Sequence, residues 1–227
     1  MANAVRLAER PNSRPFRCVA RTASSRTATE DRLAVRWTDS GVVLAVADGA
    51  GGMAGGGEAA DLFCRIVEDA ASSPELACFT AESAFELLRT ADQRIDEDRR
   101  AGETTGVVIH LRRDGSLAGA TAGDSGALVI GRGGSVDDLG AKQRPYRSRR
   151  LGSGRAVPTR FERPALAGTL LVATDGLLSF ARPEQIARIL SEHTHVGDAA
   201  DALVAAVRLP NGQLRDDVAL LLVTESP

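Results

Sequence analysis

The chain contains a single lysine, Lys142, so nearly all of its 28 basic residues are arginine. Against 30 acids this leaves a formal charge of -2, and no field of one sign draws the chain to nucleic acid or to a membrane surface. Cysteine is limited to Cys18, Cys64 and Cys78, an odd set without metal-ligand spacing. That fits a reducing compartment better than a disulfide framework. No apolar stretch approaches the roughly 18 residues of a membrane span. The first residues, MANAVRLAERPNSRP, lack the apolar segment of a secretory signal. No internal repeat recurs at a fixed period. The expectation is a soluble, cytoplasmic protein with neither nucleic acid nor membrane as partner.

What is present is ordinary in bulk. Of 227 residues 43% are hydrophobic and 26% charged, the balance of a globular protein. The expected organisation is a loose leader over 1–15 and a single domain over 16–227. The most informative stretch runs from Gly41 to Ala60. Val42 to Ala47 is an uncharged apolar run that reads as a buried strand, and it ends abruptly in Asp48-Gly49. A carboxylate there is costly to bury unless positive charge meets it. A glycine-rich loop and a helix follow.

Short β-like segments precede this stretch, at Phe16–Arg21 and at Leu33, Val35 and Trp37. After it come two amphipathic helices, the second over about 80–99 with its start at Thr80. Segments over 104–111, 116–122 and 127–131 are separated by Asp114-Gly115 and by Gly123–Gly126, which predicts an antiparallel meander. Residues 133–161 lack periodicity and read as a variable, flap-like excursion. Thr169–Ala173 is a second apolar strand running into Asp-Gly, here Asp175-Gly176. Two helices follow, from Pro183 and from Asp198 as N-cap, and a last strand follows Asp216-Asp217. Strands and helices in segregated runs predict an α+β fold: two antiparallel sheets face to face, flanked by helix pairs.

Acids at strand ends recur throughout: Glu30 and Asp31, Asp48, Asp124, Asp175, Asp216 and Asp217. Adjacent antiparallel strands place the end of one beside the start of the next, so these acids can converge on one edge. Gathered carboxylates repel one another strongly unless cations stand between them. All-oxygen ligation suits Mg²⁺ or Mn²⁺, and the lack of neighbouring His or Cys argues against zinc. Each Asp-Gly alone is an ordinary turn; the set carries the argument.

The segments RTATED (26–31), VADGAGG (46–52), GETTG (102–106), AGDSGALV (122–129), ATDGL (173–177) and RDDVALLLV (215–223) resemble, in order, the motifs of metal-dependent, type 2C Ser/Thr protein phosphatases. The resemblance spans roughly 16–223 and implies the αββα sandwich of that family, of bacterial type. It implies hydrolysis of phosphoserine and phosphothreonine in proteins, by water activated at a binuclear Mn²⁺ or Mg²⁺ centre. Asp48 would bridge both ions and the Gly49 carbonyl would bind one. Asp175 and Asp216 would complete the other shell, and Glu30 and Asp31 would act partly through water. Asp124, with Asp175, matches positions that hold a third, weaker ion in many members. Arg26 would clamp the substrate phosphate with its fork of donors. Ser/Thr-phosphorylated proteins, targets of a cognate kinase, are the implied partners, and a monomer is expected.

The chain departs from the family pattern in places. Ala50 stands where some members have His, so protonation of the leaving alkoxide falls to metal-bound water or another group. Asp217 replaces the usual Asn, a change expected to bear on metal affinity. The 133–161 excursion carries Arg144, Arg147, Arg149 and Arg150 instead of the common flap signature. It shapes substrate choice or is simply a solvated loop. A catalytically inactive binding member of the family is the alternative function, although no metal acid is missing. Gly49–Ala54 also fits a dinucleotide fingerprint, but a helix and a strand meander follow where a parallel βαβ repeat would be needed. A cysteine-based phosphatase is excluded because no cysteine has Arg six positions on. The three histidines offer no site.

Overall fold

The computed structural model describes residues 15–50, 55–73, 79–140 and 149–226. The chain runs β1 (Phe16–Ala23), β2 (Arg32–Trp37), β3 (Gly41–Ala47), α1 (Gly56–Ala71), α2 (Ala81–Glu97), β4 (Gly106–Arg112) and β5 (Leu117–Ala122). It continues with β6 (Gly126–Ile130), β7 (Val136–Leu139), β8 (Thr159–Arg163), β9 (Thr169–Ala173), α3 (Asp175–Leu178), α4 (Pro183–Glu192), α5 (Val196–Ala206) and β10 (Val218–Glu225).

Two five-stranded antiparallel sheets form, in the orders β1-β10-β9-β6-β7 and β2-β3-β4-β5-β8. Strand β3 shows why both faces must be apolar. Val42, Leu44 and Val46 point into the layer between the sheets, with Ile109, Leu170, Val172 and Leu221. Val43, Ala45 and Ala47 point the other way, onto Phe63, Val67 and Leu88 of α1 and α2. In β10, Leu221 and Val223 face the other sheet while Val218, Leu220 and Leu222 meet Ile186, Ile189 and Leu203 of α4 and α5. The result is the expected four-layer αββα sandwich. Each fully buried Val or Leu contributes about 1.5–3 kcal/mol, so the three apolar layers supply most of the driving force.

Local signals set the helix starts. The Thr80 hydroxyl accepts the Ser83 amide at 3.2 Å while Ser83 Oγ accepts the Thr80 amide, a reciprocal cap that opens α2. Pro183 occupies the first turn of α4. No described helix is long and apolar enough to cross a membrane.

Several expectations need correction. The meander stops after the β4–β5 hairpin: β6 leaves that sheet and pairs with β7 and β9 of the other. Gly123, at φ +87°, turns the chain there, and Asp124 lies on the link between the sheets. Helix α5 begins at Val196, so Asp198 sits in its first turn and His195 is the N-cap. Residues 133–161 are not irregular throughout, because β7 and β8 occupy both ends and pair with β6 and β5. Their pattern was masked by the short strands and edge charges such as Asp137, Asp138, Arg160 and Glu162. Residues 1–14 of the leader, Cys78, Arg144 and Arg147 lie outside the described residues. So does the 51–54 part of the dinucleotide-like segment; the antiparallel setting of β3 excludes that rival.

Candidate metal centre

The strand registers bring the acids together. Arg32 pairs with Ala47, Val46 with Val107, and Gly106 with Ala122, which aligns Asp31, Asp48, Thr105 and Gly123 at one sheet's edge. In the other sheet Gly126 pairs with Ala173 and Ala173 with Leu220, aligning Ser125, Thr174 and Ala219. One carboxylate oxygen each from Asp48, Asp124 and Asp175 all lie within 4.8 Å of one another.

Hydroxyl groups fix the backbone beneath them. Thr105 Oγ1 accepts the Asp48 amide at 3.0 Å and lies 2.6 Å from Ser125 Oγ. The Thr104 hydroxyl and the Thr105 amide both donate to the Asp48 carbonyl, each at 2.8 Å. The Thr174 hydroxyl donates to Asp31 Oδ2 at 2.9 Å and accepts the Ala219 amide at 3.0 Å. Close backbone packing does the rest. A Cβ on Gly176 would lie 1.8 Å from the Asp217 carbonyl, and one on Gly49 would lie 2.5 Å from Gly56. Both Asp-Gly pairs therefore need glycine for close approach.

Among the described residues the cluster is short of positive charge. Burial, then repulsion from Asp48, pushes the Asp31 carboxyl up to about 8. Burial, then Asp175 and Asp124, pushes Asp48 up to about 7. Burial, Asp124 and Asp216 raise Asp175 as well. Converging oxygen donors held in this unfavourable state fit a hard divalent cation.

The remaining residues named from sequence are placed unequally. Asp216 is exposed, outside that close triad, yet its charge acts on Asp48 and Asp175. Glu30 is half-buried and also outside the triad, and Arg26 is exposed on the β1–β2 loop. Gly49 bridges to Thr104. Asp217, whose replacement of the usual Asn is expected to bear on metal affinity, turns to the β1–β2 loop, and its charge also acts on Asp31. Its Oδ1 accepts from the Ser25 amide at 2.7 Å and from the Ser25 and Ser24 hydroxyls; its Oδ2 accepts the Glu30 amide at 3.0 Å. Burial alone would raise Asp217, but these donors hold it below the ordinary carboxylate value.

Sequence reading missed Thr105, Thr174 and Ser125 as supports, although each lies inside a quoted motif. It also missed Arg150 as a member of the site: its Nη2 lies 3.8 Å from Asp124 Oδ2. Only the local run of arginines signalled it. Two of the histidines, His110 and His193, prove structural. His110 is buried, edge-on to Phe79, and burial pushes it down to about 4. His193 Nδ1 lies 2.8 Å from the Ile189 carbonyl oxygen at the end of α4. Burial also pushes the Cys64 thiol up to about 12, so it is no nucleophile at neutral pH.

A two-sheet sandwich with paired helices and acids collected at the strand ends defines a phosphatase-like architecture. Residues 20–210 match the family Protein phosphatase 2C, and the chain belongs to that family and is a protein phosphatase by class. The S. agalactiae serine/threonine phosphatase is 19% identical, with a TM-score of 0.77 over 93% of this chain and 100% of that one. Stp1, a serine/threonine phosphatase from Staphylococcus aureus, is 18% identical, with a TM-score of 0.74 over 98% and 99%. RsbX in complex with magnesium is 15% identical, with a TM-score of 0.73 over the full length of both chains. These are likenesses of fold. No curated protein matches the sequence.

Proposed function

We propose that this chain hydrolyses phosphoserine and phosphothreonine in proteins at a centre of two Mn²⁺ or Mg²⁺ ions. The observation that carries the reading is the convergence of Asp48, Asp124 and Asp175 in a member of this family. Asp48, Asp175, Asp216 and the Gly49 carbonyl would hold the ions, with Glu30 and Asp31 acting through water. Bound divalent ions would supply an activated water and absorb the charge that develops on the phosphoryl group. The magnesium seen with the similarly folded RsbX supports a hard cation here.

The chain's own residues do the rest. The exposed Arg26 guanidinium is available to a phosphate, and its planar fork matches two phosphate oxygens. The Ser24–Glu30 loop that carries it is tied to Asp217, which gives Arg26 a fixed base. Thr174 orients Asp31, and Thr104 and Thr105 lock the Asp48 backbone. The substrates are phosphorylated targets of a cognate kinase in the cytoplasm, and the enzyme acts as a monomer.

Hydrolysis of p-nitrophenyl phosphate and of a phosphothreonine peptide tests this, with Mn²⁺, with EDTA and with Asp175→Ala. Metal-dependent turnover that drops by roughly 10²–10³-fold in the variant supports the reading. Mn²⁺ binding without turnover would favour a non-catalytic binding module. Neither binding nor turnover would sink the metal centre.

A further inference from the structure

Arg150 is mounted with unusual care for an arginine beside a variable segment. The adjacent Leu151 is fully buried; its amide donates to the Thr104 carbonyl at 2.8 Å, and its carbonyl accepts the Thr104 amide at 3.0 Å. Thr104 in turn donates its hydroxyl to the Asp48 carbonyl, so Arg150 and Asp48 share one hydrogen-bonded frame. On the other side the buried Asp92 of α2 accepts the amides of Gly152, Gly154 and Ala156 at 2.8, 3.1 and 2.9 Å. Gly152, at φ +92°, packs where a Cβ would lie 2.5 Å from the Gly102 carbonyl. The backbone after Arg150 is thus pinned before the side chain is placed, which lowers the entropic cost of ordering it.

From this mount the guanidinium reaches Asp124, and its charge opposes the upward push on both Asp48 and Asp175. It therefore acts on every carboxylate of the triad. Arginine keeps its charge at any relevant pH and is weakly hydrated, so it can stand in a part-buried acidic site. A divalent ion drawn to the Asp124 corner meets that positive charge on the same carboxylate.

We propose that Arg150 is a resident counter-cation of the Asp48–Asp124–Asp175 cluster, which competes with a divalent ion at the Asp124 corner. The competition rests on the metal reading above; the counter-charge does not. Arg150 is here a positioning and charge-balancing residue that sets how many ions the centre takes.

The test uses the whole chain as wild type, Arg150→Ala, Arg150→Lys, Asp124→Asn and the Arg150→Ala/Asp124→Asn double variant. Mn²⁺ uptake is followed by calorimetry and by the paramagnetic resonance of free Mn²⁺. Arg150→Ala should bind its weakest Mn²⁺ about tenfold more tightly, or take one more ion, with Arg150→Lys between. The gain should vanish when Asp124 is also Asn. Melting supplies an independent sign. In EDTA, Arg150→Ala should melt about 2–4 °C below wild type, and excess Mn²⁺ should close the gap. A merely structural arginine would lower melting in both conditions. Equal or weaker uptake by Arg150→Ala, or a melting gap that persists in Mn²⁺, overturns this inference and leaves the metal centre standing. No uptake by any variant overturns the metal centre and the competition together, and an Arg150→Ala melting temperature equal to wild type in EDTA overturns the counter-charge.

Discussion

The Asp217 carboxylate accepts the Glu30 amide hydrogen at 3.0 Å, tying the start of β10 to the loop before β2. The same carboxylate holds both the amide and the hydroxyl of Ser25, next to Arg26. Replacing Asp217 by Ala should leave these donors without a partner and cost about 1–3 kcal/mol in urea unfolding. The KM for a phosphothreonine peptide should rise, because Arg26 loses its fixed base, while Mn²⁺ affinity stays near wild type. Asp217→Asn should fall between, since one of its two acceptor positions becomes a donor. A loss of Mn²⁺ binding equal to that of Asp175→Ala would show instead that Asp217 is a ligand.

Arg26 itself is exposed, so its removal should not disturb the fold. Arg26→Ala is expected to raise KM for phosphopeptide, or the Ki of inorganic phosphate, by about tenfold with unchanged melting. Arg26→Lys should recover only part of this, because a point charge replaces a planar fork. Steady-state kinetics of the three proteins decide it, and an unchanged KM in Arg26→Ala would remove the phosphate clamp from the mechanism.

Asp31 and Asp48 carry carboxyls raised from an ordinary 3.8 to about 8 and about 7 in the metal-free protein. A raised acid contributes stability that is full below its unfolded value and lost as pH rises through its folded value. The metal-free melting temperature should therefore fall from about pH 5 to about pH 8. Asp31→Asn, which still accepts the Thr174 hydroxyl, should flatten that fall. Saturating Mn²⁺ should oppose it, because ligand carboxylates must be ionised. A metal-free profile that rises over this range in wild type would contradict the burial argument.

Gly176→Ala is predicted to be severely destabilising, since the added Cβ would overlap the Asp217 carbonyl oxygen at 1.8 Å. The expected loss exceeds about 3 kcal/mol, beyond the usual range for a surface turn. Gly133→Ala provides the control: a Cβ there meets nothing within 4 Å, and its effect should be within about 0.5 kcal/mol. Denaturant curves on the two variants make the comparison.

Much of the fold was legible because its apolar runs end sharply. Val42–Ala47 and Thr169–Ala173 both become central strands, buried on both faces; the first stops at Asp48, and the second stops one residue short of Asp175, which opens α3. Thr80 capped its helix as its spacing with Ser83 implied. Other features were illegible for physical reasons. The Gly123–Gly126 turn looks like any hairpin, yet the strand after it hydrogen-bonds to β9, with Gly126 opposite Ala173. The partner, not the turn, decided the sheet. Nor can adjacent aspartates reveal that Asp216 stays exposed while Asp217 turns to Ser25 and Glu30.

The sequence by itself determined the α+β class, the two-sided burial of the central strands, the family, and the set of acids at strand ends. These depend on residue type and on period, which are local properties. Only the tertiary structure decided that Asp216 stays outside the close Asp48–Asp124–Asp175 triad, that Thr174 supports Asp31, and that Arg150 stands beside Asp124. Those relationships depend on strand register and on hydrogen-bond partners far apart in the chain. A local pattern specifies which face of a strand is buried; it does not specify what lies across from it.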